Sequence, residues 1–136
     1  MSLVIKGRTI SKGYAEGEAL VCRQPIGFNF GIDPKTGVIL EVGHELQNKS
    51  IKDKILIFPH GKGSTGGSYV VYQLAKEKGG PKAMINVTTE TIIAVGAIMG
   101  GIPVVDSLEV NPLEAIKTGD YVKVDAVRGT VEVEHK

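Results

Sequence analysis

A chain of 136 residues points to one domain, large enough to bury roughly two thirds of the surface its unfolded form would expose without a disulfide or metal staple. Lysine plus arginine number 16 against 15 for aspartate plus glutamate, and the aromatic residues are four tyrosines and three phenylalanines, so neither the basic excess nor the stacking surface of a nucleic-acid binder is present. The single cysteine, Cys22, excludes an internal disulfide, cannot by itself hold an iron–sulfur cluster, and fits a reducing cytoplasm.

Met1 to Gly7 turns polar too early for a signal peptide, and the longest apolar stretch, Ile92 to Val105, is shorter than the ~20 residues of a membrane helix and is broken by glycines and Pro103. A soluble protein is expected. Leu3-Val4-Ile5 and Ala19-Leu20-Val21-Cys22 are strand-like runs separated by Gly7, Gly13 and Gly17, a pattern that suggests a bent barrel or a closely approached sheet edge. The segment Pro25 to Gly37 is too rich in glycine and proline for a regular element, yet it holds Phe28 and Phe30. These either plug the barrel mouth or contact a ligand or partner.

From Ile55 the chain alternates strand and helix. Ile55-Leu56-Ile57-Phe58 reads as a buried strand, and Tyr69 to Ala75 has helical spacing at Val70/Leu74 and Val71/Ala75. That helix should end at Lys76, Lys78 and the Gly79-Gly80-Pro81 stop. A second strand covers Ala83 to Val87. Thr88-Thr89-Glu90 offers a hydroxyl cap and a first-turn carboxylate for a helix through Met99, closed by Gly100-Gly101. Ile102-Pro103-Val104-Val105 is a third strand, its proline placing it at an edge or a strand start. This rhythm implies parallel pairing with right-handed crossovers, whereas Tyr121 to Asp125 and Thr130 to Glu134 alternate valine with polar residues as a half-buried hairpin.

The chemistry concentrates between the first strand and the first helix, in Pro59-His60-Gly61-Lys62-Gly63-Ser64-Thr65-Gly66-Gly67-Ser68. Four glycines let the backbone turn tightly, and the first amides of the following helix would point unpaired into the same space, which makes an anion-binding shape with a serine in it. Taken alone, Ser64 or Thr65 is first read as a helix cap. The glycine density, the buried strand before it and the nearness of Lys62 favour catalysis instead, and no other constellation competes: His44, His60 and His135 are scattered and no Cys/His cluster has metal-ligand spacing. The loop is neither a Walker A motif nor a Gly-x-Ser-x-Gly elbow. Lys62 is read equally as an anion contact and as a solvated loop lysine. Asn86, at a strand end beside the loop, could supply a polar contact, while Asn29 reads as turn chemistry.

Gly61-Lys62-Gly63-Ser64-Thr65 resembles the Gly-x-Gly-Ser-Ser/Thr turn of the swivelling domain in aconitase-type hydro-lyases, in which the serine is the catalytic base. More specifically, Phe58 to Thr65, with Gly31-Ile32-Asp33-Pro34-Lys35-Thr36-Gly37 and Gly96 to Pro103, is similar to the small subunit of the aconitase X family. The resemblance implies an α/β fold over residues 1–136: a three-layer β/β/α swivelling domain with a parallel central sheet and an antiparallel, barrel-like second sheet. It also implies that Ser64 removes a proton, that Lys62, Gly63, Thr65, Gly66 and Asn86 line the substrate site, and that this chain binds no metal. A large subunit would complete a heterodimer and carry a [4Fe-4S] cluster, and the implied reaction is dehydration of the phosphorylated hydroxy acid (R)-5-phosphomevalonate. Where aconitase itself has a carboxylate-gripping arginine two residues after the base, this chain has Gly66, so the anion must be held by amides, Lys62 or the partner.

Two other readings remain at this level. Phosphohistidine carrier domains resemble the same architecture, but they place their histidine at the start of the second helix, where Thr88-Thr89-Glu90-Thr91 stands here. A non-catalytic module using the aromatic loop to bind a partner would leave function intact in Ser64→Ala.

Overall fold

The computed structural model describes residues 2–135, with Phe30 described in its backbone only. Strands β1 (Ser2–Lys6), β2 (Arg8–Ser11), β3 (Tyr14–Val21), β4 (Ile55–Phe58), β5 (Ala83–Asn86), β6 (Val104–Asp106), β7 (Tyr121–Asp125) and β8 (Thr130–Glu134) are joined by helices α1 (Gly66–Glu77), α2 (Thr91–Gly100) and the short α3 (Pro112–Ala115). Every residue of β4, β5 and β6 is buried, as apolar runs covered on both faces require. β7 and β8 instead alternate, burying their valines and leaving the polar residues outside.

The strands lie in the order β1-β8-β7-β3-β4-β5-β6-β2. β3 belongs to both halves: Tyr14 to Glu18 pair antiparallel with β7, and Ala19 to Val21 pair parallel with β4. The two expected sheets are therefore one sheet that folds over along β3. Its ends also meet, because β1 and β2 stand at opposite ends of the order yet are separated in sequence only by Gly7. A methyl group on Gly7 would stand 2.5 Å from Leu108 Cδ2 and 2.7 Å from the Asp106 carbonyl, so the closure leaves room for glycine alone.

Folding the sheet over creates two cores. Ala19, Ile55, Ile57, Ile85 and Val105 face Val122, Val124, Val131 and Val133 of the hairpin. On the other face Leu56, Phe58, Met84 and Val104 pack against Val71 and Leu74 of α1 and Ile93 and Ala97 of α2. The result is the three-layer β/β/α arrangement with parallel and antiparallel parts. α1 and α2 approach so closely that a methyl on Gly96 would lie 2.7 Å from both the Ser68 carbonyl and Val71 Cβ, and Ser68 Oγ donates to the Ile92 carbonyl at 2.7 Å. Among the described residues no helix is long and apolar enough to cross a membrane.

Several local readings change. β2 and α3 have no counterpart in the sequence pattern, and α1 starts at Gly66, ahead of its first apolar residue. The left-handed residue that ends α1 is Lys78 at φ 68°, not a glycine. Gly79 is needed for a different reason, since a side chain there would overlap the Pro34 carbonyl. At α2 the threonines do not cap. Glu90 does, accepting from the N–H groups of Ile92 and Ile93 at 3.3 and 3.1 Å. Pro103 precedes β6 as a strand start, and β2 covers the edge beyond it. Phe28 is core, 2% exposed and edge-on to Phe58 with ring centroids 6.0 Å apart.

One charged interaction ties the sheet edge to α2. The fully buried Asp106 carboxylate takes Arg8 Nε and Nη2 at 2.9 Å each and the Thr89 N–H at 2.7 Å. Burial works against its charged form, but the guanidinium and the backbone donor outweigh this and hold its pKa below the ordinary carboxylate value. A depressed folded-state pKa stabilises the fold above the unfolded-state pKa and is lost as pH falls through the folded one. Asp106→Asn is therefore expected to melt lower at pH 7 and to approach wild type as the pH is brought below about 4, read from thermal melts of the two proteins across that range.

Candidate active site

β4 ends at Phe58, and the next seven residues climb over the carboxyl end of the parallel strands before α1 begins, the place where ligands of such sheets sit. The climb is anchored on both sides. The Pro59 carbonyl accepts from Val87 N–H (3.1 Å) and Thr88 N–H (3.2 Å), and Ile26 forms a parallel bridge with Gly61 by donating to the His60 carbonyl (3.3 Å) and accepting from Lys62 N–H (3.1 Å). Gly61 is pressed against α2, since a methyl there would stand 2.6 Å from Glu90 Oε1 and 2.6 Å from Ile93 Cγ1. At Gly63 the backbone takes φ 101°, a conformation that L side chains rarely adopt.

Beyond this point the loop is solvent-facing. Ser64, Thr65 and Gly66 are all exposed. The carbonyls of Ser64 and Thr65 accept from Gly67 N–H (2.9 Å) and Ser68 N–H (3.1 Å), which winds the first turn of α1. Thr65 occupies the cap position with a helical backbone and gives no side-chain cap, and Ser64 Oγ makes no hydrogen bond among the described residues. The capping function first read for these hydroxyls is therefore absent. The N–H groups of Ser64, Thr65 and Gly66 likewise meet no acceptor among the described residues, and Ser64 Oγ lies 3.5 Å from where a Gly66 side chain would begin. A free hydroxyl thus stands over unpaired amides at the positive end of a helix of 12 residues.

The other candidates divide. Lys62 and Gly63 share the exposed loop with Ser64, but Lys62 is neither solvated alone nor aimed at an empty site: its Nζ pairs with Glu41 Oε2 at 3.2 Å. Asn86 is 0% exposed and lies beneath the loop, where its Nδ2 donates to the Phe58 carbonyl at 3.1 Å and its Oδ1 has no donor among the described residues. Contact between Asn86 and a ligand would require the loop above it to move. Asn29, set aside as turn chemistry, places its carboxamide against Gly63. Glu41 left no local trace, being 21 residues from Lys62 with no shared motif. For Asn29 the signal was an amide inside a segment that otherwise supplies core residues.

Among the described residues no three His, Cys, Asp or Glu side chains converge, and Cys22 is buried, with desolvation pushing its thiol up to about 11. Where a phosphohistidine carrier would hold its histidine, at the start of α2, the Glu90 carboxylate occupies the helix terminus.

A sheet folded along one strand, two helices on its parallel half and a glycine turn leading into the first of them define a swivelling β/β/α domain. The profile of the aconitase X swivel domain matches residues 4–133, and the chain belongs to that family. It is 57% identical over 129 residues to a protein of Methanosarcina acetivorans named phosphomevalonate dehydratase small subunit, covering 95% of this chain and 90% of the relative. A Pyrococcus furiosus protein of the same name is 51% identical over 129 residues, covering 95% and 94%. The crystal structure of Thermococcus kodakaraensis aconitase X in its holo-form superposes with a TM-score of 0.90 at 47% identity, covering 96% of this chain and 98% of that one.

Gly63→Ala joins a disfavoured φ to an overlap with Asn29. It is expected to lower stability by about 2 kcal/mol, measured by denaturant unfolding. Gly43, which also has positive φ but nothing within 4 Å, should lose less on the same change.

Proposed function

We propose that this chain is the small subunit of a phosphomevalonate dehydratase, a single swivelling domain that supplies Ser64 as the base in the loss of water from (R)-5-phosphomevalonate. The observation that carries this reading is the exposed, unbonded Ser64 hydroxyl over the uncapped N-terminus of α1, in a family whose close relatives bear that name. A serine hydroxyl is a weak base at its free pKa. Unpaired amides and the helix dipole favour its ionised form, the alkoxide, and so lower the cost of using it. The proton at C2, adjacent to the carboxylate, passes to Ser64 Oγ, its electron pair forms the new double bond, and the hydroxyl on C3 departs on the side of the large subunit. The product is trans-anhydromevalonate 5-phosphate.

A [4Fe-4S] cluster is assigned to the large subunit, because the lone buried Cys22 and the scattered histidines of this chain are unsuited to ligating one. The complex is then a heterodimer in which neither chain acts alone, and its expected location is the cytoplasm. The amides of Ser64, Thr65 and Gly66 are the closest anion donors to the base. Lys62 can join them by exchanging Glu41 for a substrate oxygen, a swap that keeps the ammonium paired throughout. Gly63 and Gly66 contribute by letting backbone rather than side chain face the substrate. Asn86 acts from beneath, fixing the β4 and β5 ends on which the loop stands.

In the complex reconstituted anaerobically with its large subunit, Ser64→Ala is expected to lower kcat on the order of a thousandfold while assembly is retained. Near-normal turnover by that variant would sink the assignment. Lys62→Ala should raise KM about tenfold if the lysine grips the phosphorylated substrate, whereas Glu41→Ala should leave KM unchanged or lower it, measured by initial rates over a substrate series.

A further inference from the structure

Asn29 Oδ1 is shut off from solvent, and no described residue donates to it. A buried acceptor left without a donor costs about 1–3 kcal/mol, so its position calls for a cause. The oxygen overlaps the place a Gly63 side chain would take, with Cγ and Nδ2 at 3.1 and 3.3 Å from the same point, and it lies 3.6 Å from where a Gly67 side chain would begin. The carboxamide therefore rests on the turn that carries Ser64, touching it one residue before and three residues after.

The mount of Asn29 is anchored on several sides. Its 3-10 turn, Phe28–Phe30, packs on α1, is held by the buried Phe28 ring against Phe58, and follows the Ile26 bridge to Gly61. The opposing turn is the freer partner, exposed from Lys62 to Gly66 and containing Gly63 and Gly66. An acceptor without a donor thus faces donors without an acceptor across glycines whose backbone can rotate.

We propose that Asn29 is a positioning residue for Ser64, its carboxamide oxygen taking up one N–H of the Gly63–Gly67 turn in the assembled, substrate-bound complex and so setting Ser64 Oγ on the proton it removes. The remaining turn amides stay available to the anion. This inference rests on Ser64 being the base.

The test uses the reconstituted complex with Asn29→Ala, Asn29→Asp and Ser64→Ala, and substrate carrying deuterium at C2. Asn29→Ala removes an unpaired acceptor, so its thermal midpoint should stay within about 2 °C of wild type, while kcat falls about a hundredfold with KM within about threefold. The deuterium effect on kcat should rise, because proton removal becomes the slow step. Asn29→Asp keeps the acceptor and the shape, so it should recover most of kcat, with the pH–rate profile displaced to higher pH by the added negative charge next to the base. Unchanged kcat in Asn29→Ala, or a loss that comes with a lowered midpoint and an unaltered deuterium effect, would overturn the positioning role. If Ser64→Ala itself stays active, it is the base assignment that fails, and the role built on it fails with it.

Discussion

The candidate site exists because three pieces of backbone are brought closer than side chains allow. Gly61 lies against Glu90 and Ile93, Gly63 lies against Asn29, and Gly96 lets α2 close on the Ser68 carbonyl and Val71. A Cβ at any of these would push the β4–α1 turn away from α2 or from the Phe28–Phe30 segment. Close packing transmits such a displacement instead of absorbing it. The exposed part of the loop can be free only because its two feet are clamped, at the Ile26–Gly61 bridge and at the Ser68–Ile92 hydrogen bond.

The three helices show what is unusual about α1. α2 begins with the Glu90 carboxylate on two amides, and Thr89 N–H just before it is held by Asp106. Even the single-turn α3 has Asn111 accepting from Leu113 N–H at 3.0 Å. Only α1, among these, starts without a side-chain cap, although a serine and a threonine stand where caps are usually found. Leaving a helix end uncapped costs about 1 kcal/mol, and under the proposed function the oxygens of a phosphorylated carboxylic acid would supply the missing acceptors.

The same economy of groups bears on the division of labour between subunits. This chain brings amides, a hydroxyl and one paired lysine to the site, and all are suited to holding an anion and moving a proton. Cys22 is committed to the core as a protonated thiol beside the Gln24 carbonyl and Glu45. Under the proposed function, chemistry at the leaving hydroxyl would fall to a partner chain, in keeping with relatives that carry the words small subunit in their names.

Much of this was legible in the residues. The β4 strand follows from its continuous apolar run, the β7–β8 hairpin from its alternation and the end of α2 from its glycine stop, and the motifs Phe58 to Thr65, Gly31 to Gly37 and Gly96 to Pro103 together pointed to the family without any view of the fold. What stayed hidden is whatever depends on partners distant in the chain. β2 is a strand only because β6 offers it an edge, Lys62 meets Glu41 and Arg8 meets Asp106 across turns no spacing rule connects, and residue 79 must be glycine because the Pro34 carbonyl fills the space a side chain would need. The contacts of Asn29 with Gly63 and of Asn86 with the Phe58 carbonyl were hidden for the same reason. Sequence determines which backbone can turn and which hydroxyl stands at the turn, since these are properties of single residues and their neighbours. Tertiary packing alone decides which side chain fills the space beside it, because burial and pairing are properties of what the fold brings near.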